Sequence, residues 1–368
     1  MRHTLVTFLA CPVCLGDLSL TAAQETSGEV ETGLLACRTC ARWFPISKFL
    51  PELLPDHLRD RQRDERFLRD WAHTLPVDIV ASLRTEPTAM DSSSIDQGAS
   101  YKHAEMAISA NVDDPDFFSP GYSSPFNRHN TEHSLYLIKL FGAAVPLLEL
   151  KGGSVLLDSG CGYAWTTEWL YKAGVEAIGI DICRTYLDIG IERMGSNRPH
   201  LAVADAENLP IRSKSIDAIL AFESAHHIPD RRRAMAGFAR VLKPTGRMVL
   251  AEPGAAHEHA QVSVDVMNKY GILEKGMELE DVKEYADGTE MVEPEQIFLV
   301  RTSQRDFGAS LDRAFVQSRS ALEGNLFRII RGESLLDSLQ AAWREPRRVM
   351  WPRVKRRVKA ALVRLGLE

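Results

Sequence analysis

The stretch Val155-Leu156-Leu157-Asp158-Ser159-Gly160-Cys161-Gly162-Tyr163-Ala164 decides how the chain is read. Its first three residues are a continuous apolar run, as expected of a short strand buried on both faces. Gly160 and Gly162 then allow a sharp turn and a close approach of backbone to ligand. Residues 166–173 carry apolar side chains at helical spacing, so the loop opens a helix. The same alternation continues outward from this point. Apolar runs at 177–180, 201–204, 216–222 and 247–251 predict strands, and 185–194 and 231–242 predict helices. Buried strands alternating with amphipathic helices mean a mostly parallel sheet covered on both faces, a Rossmann-like doubly wound α/β fold.

Acidic residues close the next two strands. Asp181 lies 19 residues beyond Gly162, where a carboxylate can accept two ribose hydroxyl bonds. Asp205 and Ala206 follow the third strand, placing an acceptor and a backbone amide beside a purine edge. Asp158, two residues before the first glycine, would repel a pyrophosphate. A cationic ligand suits it better, such as the amino and sulfonium groups of S-adenosylmethionine. Tyr163 and Trp165 are expected to pack over such a cofactor, and Cys161, Ile182, Phe222 and Glu223 to complete its pocket.

Five segments in order then resemble the class I S-adenosylmethionine-dependent methyltransferases over about residues 130–255. They are Val155–Gly162, Ala177-Ile-Gly-Ile-Asp-Ile182, Ala202-Val-Ala-Asp-Ala-Glu-Asn-Leu-Pro210, the run from Ser215 to Ile228, and Val241-Leu-Lys-Pro-Thr-Gly-Arg247. Ala164 stands where that family often has a third glycine. The resemblance implies a seven-stranded sheet in the order 3-2-1-4-5-7-6, Asp181 on the ribose and Asp205 on the adenine.

Methyl transfer to a hydroxyl gains from alignment and from a general base, most often histidine. His226 and His227 follow the fourth predicted strand, and His257 and His259 the fifth. His227, His226 and His257 are the catalytic candidates. Each has a bland alternative as a histidine that pairs with a neighbouring carboxylate or caps a helix. Cys161 and Cys183 read as small buried hydrophobes rather than nucleophiles.

Four other cysteines form a second constellation. Cys11-x-x-Cys14 and Cys37-x-x-Cys40 are separated by 22 residues, and each pair can offer two thiolates from a tight turn. Together they match the tetrahedral four-sulfur shell of Zn²⁺, against the alternatives of buried thiols or a redox pair. Residues 5–55, with Leu9-Ala-Cys-Pro-Val-Cys14 and Leu35-Ala-Cys-Arg-Thr-Cys-Ala-Arg-Trp-Phe-Pro-Ile46, resemble the small zinc-ribbon proteins that activate methyltransferases.

The 368 residues carry 44 Lys or Arg against 50 Asp or Glu, which excludes a uniformly basic nucleic-acid coat. No run is apolar for long enough to span a bilayer, and the N-terminus lacks the pattern of a signal peptide. The expected location is the cytoplasm, with a peripheral contact on the inner membrane face as a further option. Five units are predicted: a zinc ribbon (1–55), a helical linker and lid (56–129), the cofactor-binding core (130–255), a C-terminal part with a substrate cap (256–340) and a basic tail (341–368). Within the second unit, residues 55–83 read as one helix, 84–100 as a linker and 111–128 as a lid in which Tyr122, Phe126, Asn127 and His129 could close over the cofactor. Helices are also expected at 262–270, 279–285 and 311–331.

The tail holds nine Lys or Arg against two Glu. Its amphipathic spacing fits a helix docked on its own protein, an anionic membrane surface or RNA. The favoured function is methylation, to oxygen first, of a small-molecule, glycan or lipid-linked acceptor. The alternatives are an RNA methyltransferase, disfavoured because the basic residues concentrate in the tail, and a non-catalytic binding scaffold.

Overall fold

The structure is a computed structural model and describes residues 1–77, 80, 98–111, 131–300 and 322–332. The lid, the tail and most of the linker lie outside these residues. Among them no helix is long and apolar enough to cross a membrane.

The N-terminal segment forms an antiparallel meander of β1 (Leu18–Thr26), β2 (Glu29–Cys37), β3 (Trp43–Ser47) and β4 (Leu50–Leu53). After α1 (Arg61–Trp71), α2 (Ala99–Met106) and α3 (Thr131–Leu147), the alternating part begins. It runs β5 (Val155–Ser159), α4 (Trp165–Lys172), β6 (Glu176–Asp181), α5 (Arg184–Met194), β7 (His200–Ala204), β8 (Ile216–Phe222), α6 (Arg231–Val241) and β9 (Leu242–Glu252). Then come α7 (Gln261–Tyr270), α8 (Leu279–Ala286), β10 (Met291–Val300) and β11 (Leu322–Arg331).

All the strands join one eleven-stranded sheet, in the order β1-β2-β3-β4-β7-β6-β5-β8-β9-β11-β10. The last seven reproduce the expected order 3-2-1-4-5-7-6. The four ribbon strands extend the sheet beyond the seven expected. The join is a short parallel pairing of β4 with β7, Glu52 opposite Val203 and Leu53 opposite Ala204. Arg184, at the start of α5, clamps the join by donating to Glu52 Oε1 at 2.5 Å and to the Ser47 carbonyl at 2.8 Å. Burial crosses it as well. Leu5, Leu9, Phe44 and Leu53 of the ribbon pack in one apolar cluster with Ile180, Ala202 and Leu250 of the α/β part. The ribbon and the α/β part therefore share a core.

Two expected helices are corrected. Residues 322–331 of the predicted 311–331 helix form β11, antiparallel to β9 and β10. Leu326, Phe327 and Ile329 are all buried there. Periodicity cannot separate such a run, covered on both faces, from a buried helix. The single helix expected over 55–83 is broken into a 3-10 turn at Asp56–Leu58, α1, and a second 3-10 turn at Ala72–Thr74. The Asp60 side chain caps α1 by accepting from the Arg63 amide, which fixes the start of the helix after the first turn.

Candidate active site

A cavity of about 290 Å³ opens at the carboxyl ends of β5, β6, β7 and β8, where open α/β sheets place their ligands. The glycine loop forms its floor. Gly160 has φ +72°, and a Cβ there would stand 2.5 Å from that of Ser224, so no larger residue fits. Ala164 also takes the left-handed conformation, with φ 58° at the N-cap of α4.

Cys161, Gly162, Tyr163, Trp165, Asp181, Ile182, Asp205, Ala206, Phe222 and Glu223 line this cavity with Gly160, as their sequence positions suggest. Asp181 Oδ2 accepts from the Gly162 amide and Oδ1 from the Cys183 amide, both at 2.8 Å. The carboxylate keeps acceptor capacity for a ligand hydroxyl. Burial pushes the Asp181 carboxyl up to about 6, against the backbone bonds that pull it down. Trp165 packs edge-on to Phe222 at 5.7 Å, and Tyr163 tilts on Tyr186 at 4.7 Å, giving the cavity aromatic walls.

Asp158 is placed differently from expectation. It is fully buried behind the loop and is not among the lining residues. The hydroxyls of Thr166 and Thr167 each donate to its Oδ2 at 2.6 Å, so the carboxylate ties the glycine loop to α4. Burial raises its pKa to about 6. The acidic character of the wall comes instead from Glu105, Asp181, Asp205, Glu207 and Glu223, against Lys102.

Of the three catalytic candidates, His227 lines the cavity. Its Nδ1 lies 2.7 Å from the Leu273 carbonyl, which can only accept, so Nδ1 carries the proton and Nε2 keeps its lone pair. Burial, then the neighbouring His226, lowers the His227 pKa, which favours the neutral ring. His226 and His257 are corrected to positions behind the cavity wall. His226 Nδ1 donates to Glu252 Oε2 at 2.7 Å, and His257 Nε2 meets Glu274 Oε2 at 2.6 Å. Glu252 also accepts from the amides of Ser224, Ala225 and His226, so it fastens the whole turn after β8. His259, the remaining histidine of that segment, pairs with Glu258 at 3.5 Å on the surface. Glu223 sits at φ 50° and accepts from the Tyr136 hydroxyl at 3.4 Å. Burial, then the Glu252 charge, raises its carboxyl to about 8, so it is mostly protonated at neutral pH.

Far along the sheet, the four ribbon cysteines converge. Cys11 and Cys40 sulfurs are 3.7 Å apart and Cys14 and Cys37 sulfurs 3.5 Å, with all four within 4.8 Å of one another. A tetrahedral Zn²⁺ shell with bonds of about 2.3 Å needs sulfur separations of roughly 3.7 Å. The thiols fit zinc.

Comparison with known proteins agrees with both halves. Residues 157–250 match the methyltransferase domain family, and residues 2–48 the Trm112p-like protein family. One chain therefore carries a segment similar to the Trm112p-like family ahead of a segment similar to the methyltransferase domain family. It is 33% identical over 143 residues to methyltransferase GfsG of Streptomyces halstedii, covering 38% of this chain and 51% of that protein. It is 35% identical over 111 residues to the 27-O-demethylrifamycin SV methyltransferase of Amycolatopsis mediterranei, covering 29% and 41%. The chain thus spans about half or less of the length of these relatives. Among solved structures, a complex of the Haloferax volcanii Trm112 methyltransferase activator with a methyltransferase aligns at 16% identity. That match covers 56% of this chain and 93% of that one, with a TM-score of 0.44.

The cavity also takes residues from α2 that the sequence did not single out. Lys102 is buried and binds Asp205 Oδ2 at 3.0 Å and Glu207 Oε2 at 2.5 Å. Tyr101 and Glu105 line the cavity beside it, and Glu105 Oε2 is buried with no hydrogen-bond partner among the described residues. A lysine two residues past a predicted linker carries no signal by itself. The one available clue was its helical spacing with Glu105, an ordinary surface pattern.

Proposed function

We propose that this chain is an S-adenosylmethionine-dependent methyltransferase that acts on a hydroxyl of a small-molecule acceptor. The observation that carries the reading is the acidic, aromatic-walled cavity over the glycine loop. Carboxyl groups outnumber the single lysine on its wall even with Glu223 protonated, a balance that suits a cationic cofactor better than a pyrophosphate. Asp181 would hold the ribose, and Asp205 with the Ala206 amide the adenine. Glu105, with its unpartnered oxygen, is a ready acceptor for a ligand ammonium. When bound, the cofactor supplies an electrophilic methyl group.

The protein's own part in catalysis is then to exclude water, orient the acceptor and take its proton. His227 is the residue proposed for that proton, received at Nε2 while Nδ1 stays on the Leu273 carbonyl. This backbone bond fixes the tautomer a base needs. Glu223, protonated, can donate a hydrogen bond into the same end of the cavity. A hydroxyl acceptor is supported by the relative whose name specifies a 27-O-demethyl substrate.

The test is calorimetry with S-adenosylmethionine, followed by incubation with methyl-labelled cofactor and fractionated small-molecule, lipid, glycan and RNA pools. Binding and label in the small-molecule pool support the reading. No binding would sink it, and label confined to RNA would move the acceptor to the rejected class.

A further inference from the structure

Three loops meet behind His227. The turn after β8 brings His226, the turn after β9 brings His257, and the segment between α7 and α8 brings Glu274. One ligand atom from each lies within 4.8 Å of the others, and His226 and Glu274 are buried. We infer that His226, His257 and Glu274 form a second metal site, which takes a divalent first-row transition ion one imidazole ring away from the cavity.

Local chemistry supports this assignment. The His226 Nδ1 proton goes to Glu252, so Nε2 presents a lone pair, and it faces Glu274 Oε2 at 3.7 Å. Two acceptors face each other there, an arrangement that a cation between them relieves. Glu252 completes the usual outer shell of a metal-bound histidine, a carboxylate on the other ring nitrogen. Two imidazoles and one carboxylate are the donor set of zinc, iron, cobalt or manganese sites that keep a position open. Bonds of about 2.0–2.1 Å need donor separations of roughly 3.3 Å. The 3.7 Å pair is near that value, and the 2.6 Å contact of His257 with Glu274 has to open by less than 1 Å. Among the described residues Glu252 and Glu274 have only histidines as ion-pair partners, while the nearby Arg231 guanidinium is spent on the Ala225, His226, Lys275 and Gly276 carbonyls.

The His226 and His227 rings are 3.9 Å apart between centroids, so an ion held here is adjacent to the proposed base. Any role in lowering the pKa of an acceptor hydroxyl rests on the methyl-transfer reading. Metal binding itself does not.

The full chain, with its cysteine centre loaded with zinc, is titrated with Co²⁺ near neutral pH by calorimetry and visible absorption. One additional Co²⁺ per chain is expected, with the weak bands of nitrogen and oxygen ligands and no thiolate charge-transfer band. Glu274→Gln and the more accessible His257→Gln should each weaken that binding by roughly tenfold or more, and Glu252→Gln by about 10- to 100-fold through the outer shell. Thermal melts confirm that the Glu274 and His257 variants are folded. A wild-type chain that takes no second ion overturns the site, as does Co²⁺ binding unchanged in both variants. A proton between His226 and Glu274 is then what fills the gap. Cofactor calorimetry on the same sample reports separately on the methyltransferase reading.

Discussion

The cysteine centre and the cavity over the glycine loop stand on one sheet but are assembled over different lengths of chain. Cys11 and Cys40 are 29 positions apart and are brought together by one meander. Lys102 reaches Asp205 across 103 positions, and the cavity needs the ends of four strands plus α2. A site closed by a local motif is bound to the stability of that motif. A site closed by distant segments depends on the whole sheet, and its parts can be altered one at a time.

The sharpest way to break this contrast is to remove the ribbon's metal. Structural zinc contributes on the order of 10 kcal/mol of binding free energy in isolated zinc-finger peptides. The double variant Cys11→Ser/Cys37→Ser should lose the sulfur-bound zinc and several kcal/mol of stability. Metal analysis and thermal melting would show it, and because the core is shared the α/β part should melt earlier too. An unchanged melt of the α/β part would mean the two regions are independent.

Next in size is Lys102→Met. It leaves Asp205 and Glu207 buried without that cation, a change that costs about 3–5 kcal/mol when a buried pair is broken. Urea unfolding measures the loss, and zinc content should not move. Asp181→Ala should weaken S-adenosylmethionine by about 1.5–3 kcal/mol through lost charged hydrogen bonds, read by calorimetry.

A smaller effect comes from pH. Burial raises the Asp181 carboxyl to about 6 in the folded protein, so its ionised form is lost as pH falls through that value. If the ionised form is the one that binds, cofactor affinity should drop by up to about tenfold per pH unit below it. Asp181→Ala should flatten that profile. The sign for folding is opposite. Because the folded carboxyl holds its proton more tightly than an ordinary one, the unliganded protein loses stability as pH rises from about 4 to 6. The smallest change is Ala164→Gly, which relieves a left-handed alanine and should shift stability by no more than about 1 kcal/mol.

The same contrast explains which features are legible in the sequence. The Cys-x-x-Cys pairs, Gly160 and Gly162, and the acidic residues that end β6 and β7 are tied to chemistry by spacing alone, and they stand where their motifs imply. Asp158 carries the same kind of signal but turns into the protein, because two threonine hydroxyls in the first turn of α4, eight and nine residues on, capture its carboxylate. His226 and His257 looked equivalent to His227. Only the positions of Glu252, Glu274 and the Leu273 carbonyl separate them, and those partners are 17 to 46 residues away. β11 is illegible as a strand for a related reason, since a run covered on both sides shows neither face.

The parallel seam between β4 and β7 has a consequence for stoichiometry. A zinc-ribbon helper supplied as a separate chain must be found by diffusion, and its occupancy follows its concentration. Here the ribbon is covalently attached, so the second contact is intramolecular, with effective concentrations that reach the millimolar range for short flexible connections. Every copy of the α/β half is made with one copy of its ribbon, and that edge of its sheet is already occupied. A freely diffusing ribbon would find no strand of β7 left to pair with.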